Sequence, residues 1–262
     1  MIVLLLILLG LCLGSFVNAF VWRLHEGKDW VKGRSECPEC HHELAPKDLV
    51  PVASWLWLRG KCRYCGKAIA DSPLVELAVP GLFVLSYFFW PMELTGEGLF
   101  LFGLWLVFIV GFVALALYDI RWFLLPDKIV FPLLGLAIFQ VLALPILFDA
   151  SWTGLLGSAV GALVLSGFFL VLYLVSNGRW IGFGDVKLGI VLGLLAGGAF
   201  EAMLLLLLAS VLGMCIALPL LMTGKARRGS HLPFGPLLLA ATVVVVLWGS
   251  AVIDWYTSQL FF

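Results

Sequence analysis

The chain has 262 residues, of which 63% are hydrophobic and only 12% are charged, and its mean hydropathy is +1.10. This composition excludes an ordinary soluble globular domain and indicates a polytopic membrane protein. Sixteen Lys and Arg residues balance sixteen Asp and Glu residues, so no excess of positive charge points to a nucleic-acid partner.

Apolar runs of membrane-spanning length predict eight helices. They cover roughly residues 1–22, 74–91, 98–118, 129–148, 153–175, 186–200, 202–222 and 236–257. The first run has no basic residue before Arg23 and is long enough to cross the hydrocarbon core, so we interpret it as a retained helix rather than a cleaved signal peptide. Glu201 marks the only polar break between the sixth and seventh runs, so a single fused helix is the alternative there.

The distribution of basic residues predicts which side of the membrane each loop faces. If the first helix runs from outside to inside, all 16 Lys and Arg residues fall in the inner segments 23–73, 119–128, 176–187 and 223–235. A fused sixth and seventh helix would move Lys225, Arg227 and Arg228 outside, against the preference of basic loops for the cytoplasm. We therefore predict eight spans with both termini outside, and with Asp119 and Asp185 at the same inner face.

The long loop 23–73 contains two CxxC motifs, formed by Cys37, Cys40, Cys62 and Cys65. A segment of about 50 residues is too small to form a stable core without an added constraint. Four thiolates in two such turns are typical of a tetrahedral zinc site that is closed and therefore structural. His41 and His42 follow the first pair, but four cysteines already complete the coordination. Metal-binding cysteines also indicate reducing surroundings for this loop.

Two aspartates lie where apolar helices meet inner polar turns. Asp119 follows the third run, and Asp185 precedes the sixth, in Gly182-Phe183-Gly184-Asp185. A carboxylate held partly out of water is costly unless it has a partner or a function. A structural role is open for each, because Asp119 can pair with Arg121, and Asp185 can cap its helix or pair with Lys187.

The alternative to these structural roles is an aspartyl protease with Asp119 and Asp185 as its catalytic pair. Two carboxylates a few ångströms apart cannot easily both ionise, so one activates water while the other protonates the peptide carbonyl. The glycines of the motif would let a substrate backbone approach closely. A third inner acid, Asp127, lies just before the fourth helix and most resembles an N-terminal capping residue. The sequence has no GxSxG or HExxH motif that would supply a different catalytic centre.

Further motifs follow one another between residues 14 and 236. They are Gly14-Ser15-Phe16-Val17-Asn18 with Arg23-Leu24, the CxxC pairs around Pro51-Val52-Ala53-Ser54-Trp55-Leu56, then Pro73-Leu74-Val75-Glu76-Leu77, Leu125-Pro126-Asp127, Gly182-Phe183-Gly184-Asp185-Val186-Lys187 and Leu232-Pro233-Phe234-Gly235-Pro236. In this order they resemble the type IV prepilin peptidases, bifunctional leader peptidases and N-methyltransferases of the GxGD aspartyl protease group. The chain reads Val75-Glu76-Leu77-Ala78-Val79-Pro80-Gly81 where that family commonly reads VELLTG.

The resemblance implies that Asp119 and Asp185 are the catalytic pair. It further implies supporting positions at Gly182, Gly184 and Lys187, with Asp127 at most accessory. The implied substrates are prepilins or pseudopilins whose short basic leader ends in glycine, cut at the cytosolic face of the bacterial inner membrane.

A second activity implied by the resemblance is methylation of the new N-terminal amine from S-adenosylmethionine, with Glu76 as the candidate residue. The chain has no GxGxxG nucleotide motif. The alternative for Glu76 is a charge that snorkels to the membrane surface at the start of a helix.

These observations predict an all-α polytopic membrane protein with three parts: a transmembrane helix at 1–22, a cytosolic zinc loop at 23–73, and a membrane domain of seven helices at 74–262. Three other functions stay open. A peptidase without methyl transfer is one. A proton-coupled transporter is another, although the chain shows no repeated halves. The third is a zinc-bearing scaffold that binds cytosolic partners through its loop. The sequence does not determine the oligomeric state.

Overall fold

The computed structural model describes residues 1–29, 33–69, 73–148, 151–224 and 232–260. Within these ranges the chain is helical, and strand pairing is limited to two isolated bridges, Glu36–Glu43 and Lys61–Ala68. The helices are α1 (Ile2–His25), a 3-10 turn (Pro46–Asp48), α2 (Ala53–Trp57), α3 (Leu74–Phe88), α4 (Gly96–Trp122), α5 (Asp127–Leu147), α6 (Trp152–Ser176), α7 (Phe183–Ala196), α8 (Ala199–Met222) and α9 (Gly235–Leu260). The predicted all-α fold is confirmed.

Six of the described helices are long and apolar enough to cross a membrane, namely α1, α4, α5, α6, α8 and α9. The chain is therefore a multi-pass membrane protein. Helices α3 and α7 have 15 and 14 residues, which at 1.5 Å per residue reach only about 21–22 Å, less than a hydrocarbon core of ~30 Å. The count of eight spans stays a prediction. Lys225, Arg227 and Arg228, on which the predicted orientation partly depends, lie outside the described residues.

The predicted sixth and seventh helices are separate, so the fused alternative is wrong. The break falls at Gly197 and Gly198, between α7 and α8, and not at Glu201. Gly197 has a φ of +84°, a left-handed conformation that ends a helix and that glycine adopts without steric cost. Glu201 lies instead in the first turn of α8, where the helix dipole favours a negative charge.

The chain divides into two compact units. The first comprises Met1–Phe88 and Leu106–Leu117, and the second comprises Phe89–Trp105 and Tyr118–Phe262. The four cysteines and Glu76 belong to the first unit, and both candidate catalytic aspartates belong to the second. The predicted three-part division of the chain stays a prediction.

In the first unit, α1 and α3 pack with their backbones in contact. A Cβ atom on Gly10 would lie 2.5 Å from the Cα of Pro80, and one on Gly14 would lie 2.8 Å from the Cα of Glu76. Pro80, where the chain departs from the family's usual motif, is thus part of this helix contact. Asn18 follows Gly14 by one helical turn and lies on the same face of α1. The packing therefore brings Asn18 and the start of α3 into one region.

In the second unit, α6 and α7 approach equally closely. A Cβ on Gly161 would lie 2.6 Å from the carbonyl oxygen of Gly193, and a Cβ on Gly193 would lie 2.5 Å from the Cα of Ala162. One turn earlier on α7, a Cβ on Gly189 would lie 3.1 Å from the Cα of Ser166. Small residues allow such close packing between membrane helices. This contact holds α7, whose first turn carries Asp185.

Candidate active site

Asp119 lies in the last turn of α4 and is buried, with 6% of its surface exposed. The helix ends at Trp122, and Phe123 adopts a left-handed conformation with φ of +55° while its N–H donates to the carbonyl oxygen of Asp119 at 2.8 Å. The side chain accepts a hydrogen bond from the N–H of Gly235, the first residue of α9, at 3.1 Å from Oδ2. The start of one helix therefore stabilises a carboxylate at the end of another.

Asp185 is the third residue of α7, after Gly182 as N-cap, and it is half-buried. Gly182 is the N-cap and has no side chain, but the Asp185 carboxylate at the third helical position interacts with the backbone N–H of Gly182, so a capping role for Asp185 stays a prediction. A carboxylate in the first turn still lies where the helix dipole favours negative charge. Its Oδ2 is close to Gly182, since a Cβ built there would lie 3.7 Å away. The site therefore has a second acidic group whose charge a helix N-terminus supports.

The structure brings Asp119 and Asp185 together. The two carboxyl groups are close enough to interact electrostatically. Leu125 packs between the segments that carry them. A Cβ atom added to Gly184 would lie 3.0 Å from the Cβ of Leu125, and a Cβ atom added to Gly235 would lie 3.4 Å from the Cδ2 of Leu125. The end of α4 and the starts of α7 and α9 thus converge on one acidic site. The catalytic role of the pair stays a prediction.

Lys187 forms an ion pair with Asp127 rather than with Asp185. Its ammonium group also lies 5.6 Å from the ring centroid of Phe131 and 5.7 Å from that of Phe183. Asp127 is the first residue of α5, whose N-cap is Pro126 without a side-chain cap, so the predicted capping role of Asp127 is wrong. The ion pair instead links the first turn of α5 to the second turn of α7, two residues after Asp185.

Gly235 lies in the site, although its place in the motif Leu232–Pro236 did not predict a role for it. A Cβ at this position would lie 2.6 Å from Asp119 Oδ2, so the close approach requires glycine. The available signal was a glycine directly before Pro236 at the start of an apolar run. Proline is common in the first turn of a helix, and a glycine beside it marks a helix start that something approaches closely.

The four cysteines of the first unit form one cluster. Their sulfur atoms all lie within 4.8 Å of one another, and Cys37 and Cys65 are 3.9 Å apart. Four sulfurs bound at 2.3 Å around a tetrahedral zinc ion are about 3.8 Å apart, so the cluster fits such an ion. His41 contacts Glu36 at 4.0 Å, and the ring of His42 packs on Tyr64. The cluster can hold a metal ion through the cysteines alone.

The two cysteine turns have the same backbone design. The N–H of Cys37 donates to the carbonyl of His42 at 3.0 Å, and the N–H of Cys62 donates to that of Lys67 at 2.8 Å. The residue after each second cysteine, His41 or Gly66, has positive φ. Burial raises the pKa of the Cys62 thiol, but nearby N–H groups and thiols outweigh it and lower that pKa to about 7. Partial ionisation of one thiol at neutral pH favours metal binding.

Asp48 joins the second cysteine turn to the rest of the loop. It is buried and accepts hydrogen bonds from Arg63 Nε at 2.7 Å and from the Tyr64 hydroxyl at 3.1 Å. Burial by itself raises the pKa of Asp48, but the hydrogen bonds from Arg63 and Tyr64 outweigh this effect and hold its pKa below the usual value. The ionised side chain therefore stabilises the fold of this loop at neutral pH.

Glu76 is half-buried, and its Oε2 accepts a hydrogen bond from the N–H of Val52 at 2.6 Å. This carboxylate therefore binds the protein backbone from the first turn of α3, and its predicted alternative role as a snorkelling charge at a helix start stays a prediction. Val52 has a φ of +60°, which is unusual for a β-branched residue. Glu76 also lines a cavity of about 160 Å³ with residues of α1, the loop and α2, among them Asn18 and Trp55.

Fold and site together define a multi-pass membrane protein with two neighbouring aspartates at helix ends, one buried and one half-buried, and with a separate tetracysteine loop. The sequence model of the bacterial peptidase A24 N-terminal domain matches residues 8–90, and that of the type IV leader peptidase family matches residues 106–218. The chain belongs to the type IV leader peptidase family, which confirms the resemblance found in the sequence.

Several relatives carry the name prepilin leader peptidase/N-methyltransferase. That of Stutzerimonas stutzeri is 34% identical over 273 residues, covering 94% of this chain and 90% of the relative. That of Pseudomonas aeruginosa is 34% identical, with 95% and 91% covered. That of Bacillus subtilis is 31% identical, with 97% of each chain covered. No solved structure matches this chain significantly.

Proposed function

We propose that the chain is an aspartyl endopeptidase that removes the leader from type IV prepilins or pseudopilins and then methylates the new N-terminal amine. The observation that carries this proposal is the meeting of Asp119 and Asp185 from distant parts of the chain, with the N–H of Gly235 on the buried member. Membership of the leader peptidase family and the names of the relatives support the same substrate class.

Peptide hydrolysis by this pair requires one carboxylate and one carboxylic acid. The carboxylate takes a proton from water, and the water oxygen attacks the carbonyl carbon of the scissile bond. The carboxylic acid donates its proton to the carbonyl oxygen, and collapse of the tetrahedral intermediate breaks the C–N bond with a proton delivered to the leaving amine. Two interacting carboxyl groups partly removed from water are suited to sharing a single proton.

The proposal locates the reaction at the cytosolic face of the bacterial inner membrane. Asp119 lies at the start of the basic segment 119–128, and Asp185 lies near the end of the basic segment 176–187. Segments with basic residues prefer the cytoplasm. A short basic leader awaiting cleavage would lie on that side, and the apolar helix that follows it would lie in the bilayer beside the site.

The four cysteines would hold one zinc ion with all four positions filled. A closed site of this kind stabilises its loop and leaves no position for a reacting group. Zinc would therefore maintain the first unit, and the proposed hydrolysis depends only on the carboxyl groups of the second unit.

Methyl transfer would use S-adenosylmethionine as the donor. The amine lone pair forms a bond to the methyl carbon while the methyl–sulfur bond breaks, so the sulfonium becomes a thioether. The nitrogen must lose a proton, and Glu76 is the proposed acceptor. The position of Glu76 in the lining of a cavity that Asn18 and Arg23 also line supports this role.

Single Asp119→Asn and Asp185→Asn variants test the peptidase proposal. Each keeps the shape of the side chain but removes one half of the proton transfer, so cleavage of a purified prepilin should fall by orders of magnitude. Asp127→Asn is the matched control and should retain substantial cleavage, because its carboxylate binds Lys187. Near wild-type cleavage by either aspartate variant would refute the proposal and favour the transporter or scaffold alternatives.

Parallel assays with and without S-adenosylmethionine test the methyltransferase proposal. Labelled S-adenosylmethionine and a pre-cleaved pilin should give label on the N-terminal amine, and Glu76→Gln should reduce that transfer. Cleavage by the wild type without any transfer of label would leave the chain as a peptidase alone.

A further inference from the structure

The cavity beside Glu76 has features of a ligand site. Its lining comes entirely from the first unit: α1 contributes Ser15, Asn18 and Arg23, α2 contributes Trp55, and α3 contributes Glu76. Its volume of about 160 Å³ corresponds to roughly five water molecules at ~30 Å³ each. The space is therefore sufficient for a small polar group with a short apolar attachment.

Two of the side chains that line this cavity carry a buried polar atom without a hydrogen-bond partner. These atoms are Oδ1 of Asn18 and Nε1 of Trp55, which belong to side chains that line the cavity, and within the part of the chain that the structure describes, these are the only such side-chain atoms. Only 7% of the surface of Asn18 is exposed. An unpaired buried acceptor or donor destabilises a fold. An unpaired acceptor and an unpaired donor on two side chains of the same cavity indicate a ligand group that supplies both a donor and an acceptor.

The Glu76 carboxylate adds a negative charge to the same cavity. It accepts one hydrogen bond, from the N–H of Val52, whereas an ionised carboxylate can accept about four. Capacity for a further donor therefore remains. The N–H of Val52 is positioned by an unusual positive φ, which orients this carboxylate at the cost of backbone strain.

We propose that the cavity binds an α-amino group together with the carbonyl or carboxylate oxygen next to it. The nitrogen donates to Asn18 Oδ1 and to Glu76, and the oxygen accepts from the indole N–H of Trp55. This inference rests on the proposed methyl transfer, because both reactants of that reaction carry such a group. S-adenosylmethionine has one at its methionine end, and the freed pilin has one at its N-terminus.

Two variants remove the proposed contacts while keeping part of the side-chain shape. Asn18→Leu removes the acceptor, and Trp55→Phe removes the donor but keeps an aromatic ring. If the two atoms serve only the fold, neither change should weaken ligand binding. Because neither atom has a hydrogen-bond partner within the protein, neither variant breaks a hydrogen bond of that atom, so both should still fold and insert into the membrane.

The experiment uses the full-length protein in detergent with two measurements. Calorimetry gives the affinity for S-adenosylmethionine, and methylation of a pre-cleaved pilin peptide at saturating donor gives the KM for the peptide. We expect both variants to weaken one of these by about ten- to a hundredfold, as for a lost hydrogen bond to a charged group. Glu26→Gln, an exposed carboxylate of the same unit outside the cavity, is the matched control and should behave as the wild type.

A loss of donor affinity assigns the cavity to the methionine end of S-adenosylmethionine, and a raised peptide KM assigns it to the pilin N-terminus. Unchanged affinity and KM in both variants, with the wild type transferring label, would overturn the inference but leave the proposed function intact. Losses that only follow a lower melting temperature would also overturn it. A wild type that neither binds the donor nor transfers label would refute the proposed methyl transfer and this inference together.

Discussion

Replacement of Gly235 by alanine tests whether its close contact with Asp119 shapes the acidic site. The new Cβ would lie 2.6 Å from Oδ2 and 3.3 Å from Cγ of Asp119, and 3.4 Å from Cδ2 of Leu125. Only the last of these is an ordinary contact distance. Because Leu125 already contacts the new Cβ, residue 235 cannot move toward Leu125. The Asp119 carboxyl group therefore has to move away from the new Cβ by up to about 1 Å to reach a normal van der Waals distance.

The expected loss of activity follows from the hydrogen bond that this movement disrupts. The bond from the N–H of Gly235 to Asp119 is 3.1 Å long and buried. A hydrogen bond to a charged group contributes about 1.5–3 kcal/mol, and each ~1.4 kcal/mol corresponds to a factor of ten in rate. Displacement of a catalytic group by ~1 Å has an effect of similar size. We expect Gly235→Ala to lower kcat/KM for prepilin cleavage about ten- to a hundredfold.

Cleavage of a purified prepilin in detergent measures this effect, and Gly135→Ala in α5 is the matched control. A Cβ on Gly135 would meet no atom within 4 Å, and alanine is favoured over glycine inside a helix by about 1 kcal/mol. This control should cleave at the wild-type rate and be at least as stable. Wild-type cleavage by Gly235→Ala would refute the reasoning, because the Asp119 carboxyl group would then tolerate the displacement.

Three other predictions concern the metal, the ion pair and the topology. Cys62→Ser should lower the zinc content from about one ion per chain to near zero and should reduce methyl transfer more than cleavage. The control Cys215→Ser, at an exposed cysteine, should change neither the zinc content nor the activities, and full zinc content in Cys62→Ser would contradict the site. Asp127→Asn and Lys187→Gln each remove the same ion pair, so each should lower the melting temperature by a similar amount, and the double variant should lose no more than either single variant. Additive losses in the double variant would show that the two side chains act separately. Reporter fusions after Gly98 should report the periplasm and those after Gly224 the cytosol, and either reversed signal would contradict eight spans.

Much of the fold could be predicted because its signals are local in the sequence. Long apolar runs predict the helices, since membrane helices must satisfy their backbone hydrogen bonds internally and present apolar side chains to lipid. The CxxC spacing predicts the cysteine cluster, since a short turn brings each pair together whatever the rest of the chain does. The break between α7 and α8 was predicted at Glu201 but lies at Gly197, because backbone conformation and not polarity ends that helix.

The partners of the charged side chains depended on the tertiary structure. Lys187 had an acid two residues away at Asp185, yet it pairs with Asp127 from another helix. Residues two apart on a helix point in different directions, so proximity in sequence did not make them partners. The contact of Gly235 with Asp119 and the cavity shared by Asn18 and Glu76 likewise join segments far apart in the chain.

The sequence by itself determined that the chain is helical, lies in a membrane, carries a cysteine site and has acids at the ends of its helices. Only the tertiary structure decided which of those ends meet. The physical reason is that lipid solvates every apolar face of a helix about equally, so the hydrophobic pattern does not identify a helix's neighbours. Close packing at glycines such as Gly161 and Gly193 selects those neighbours instead, and the position of Asp185 at the start of α7 follows from it.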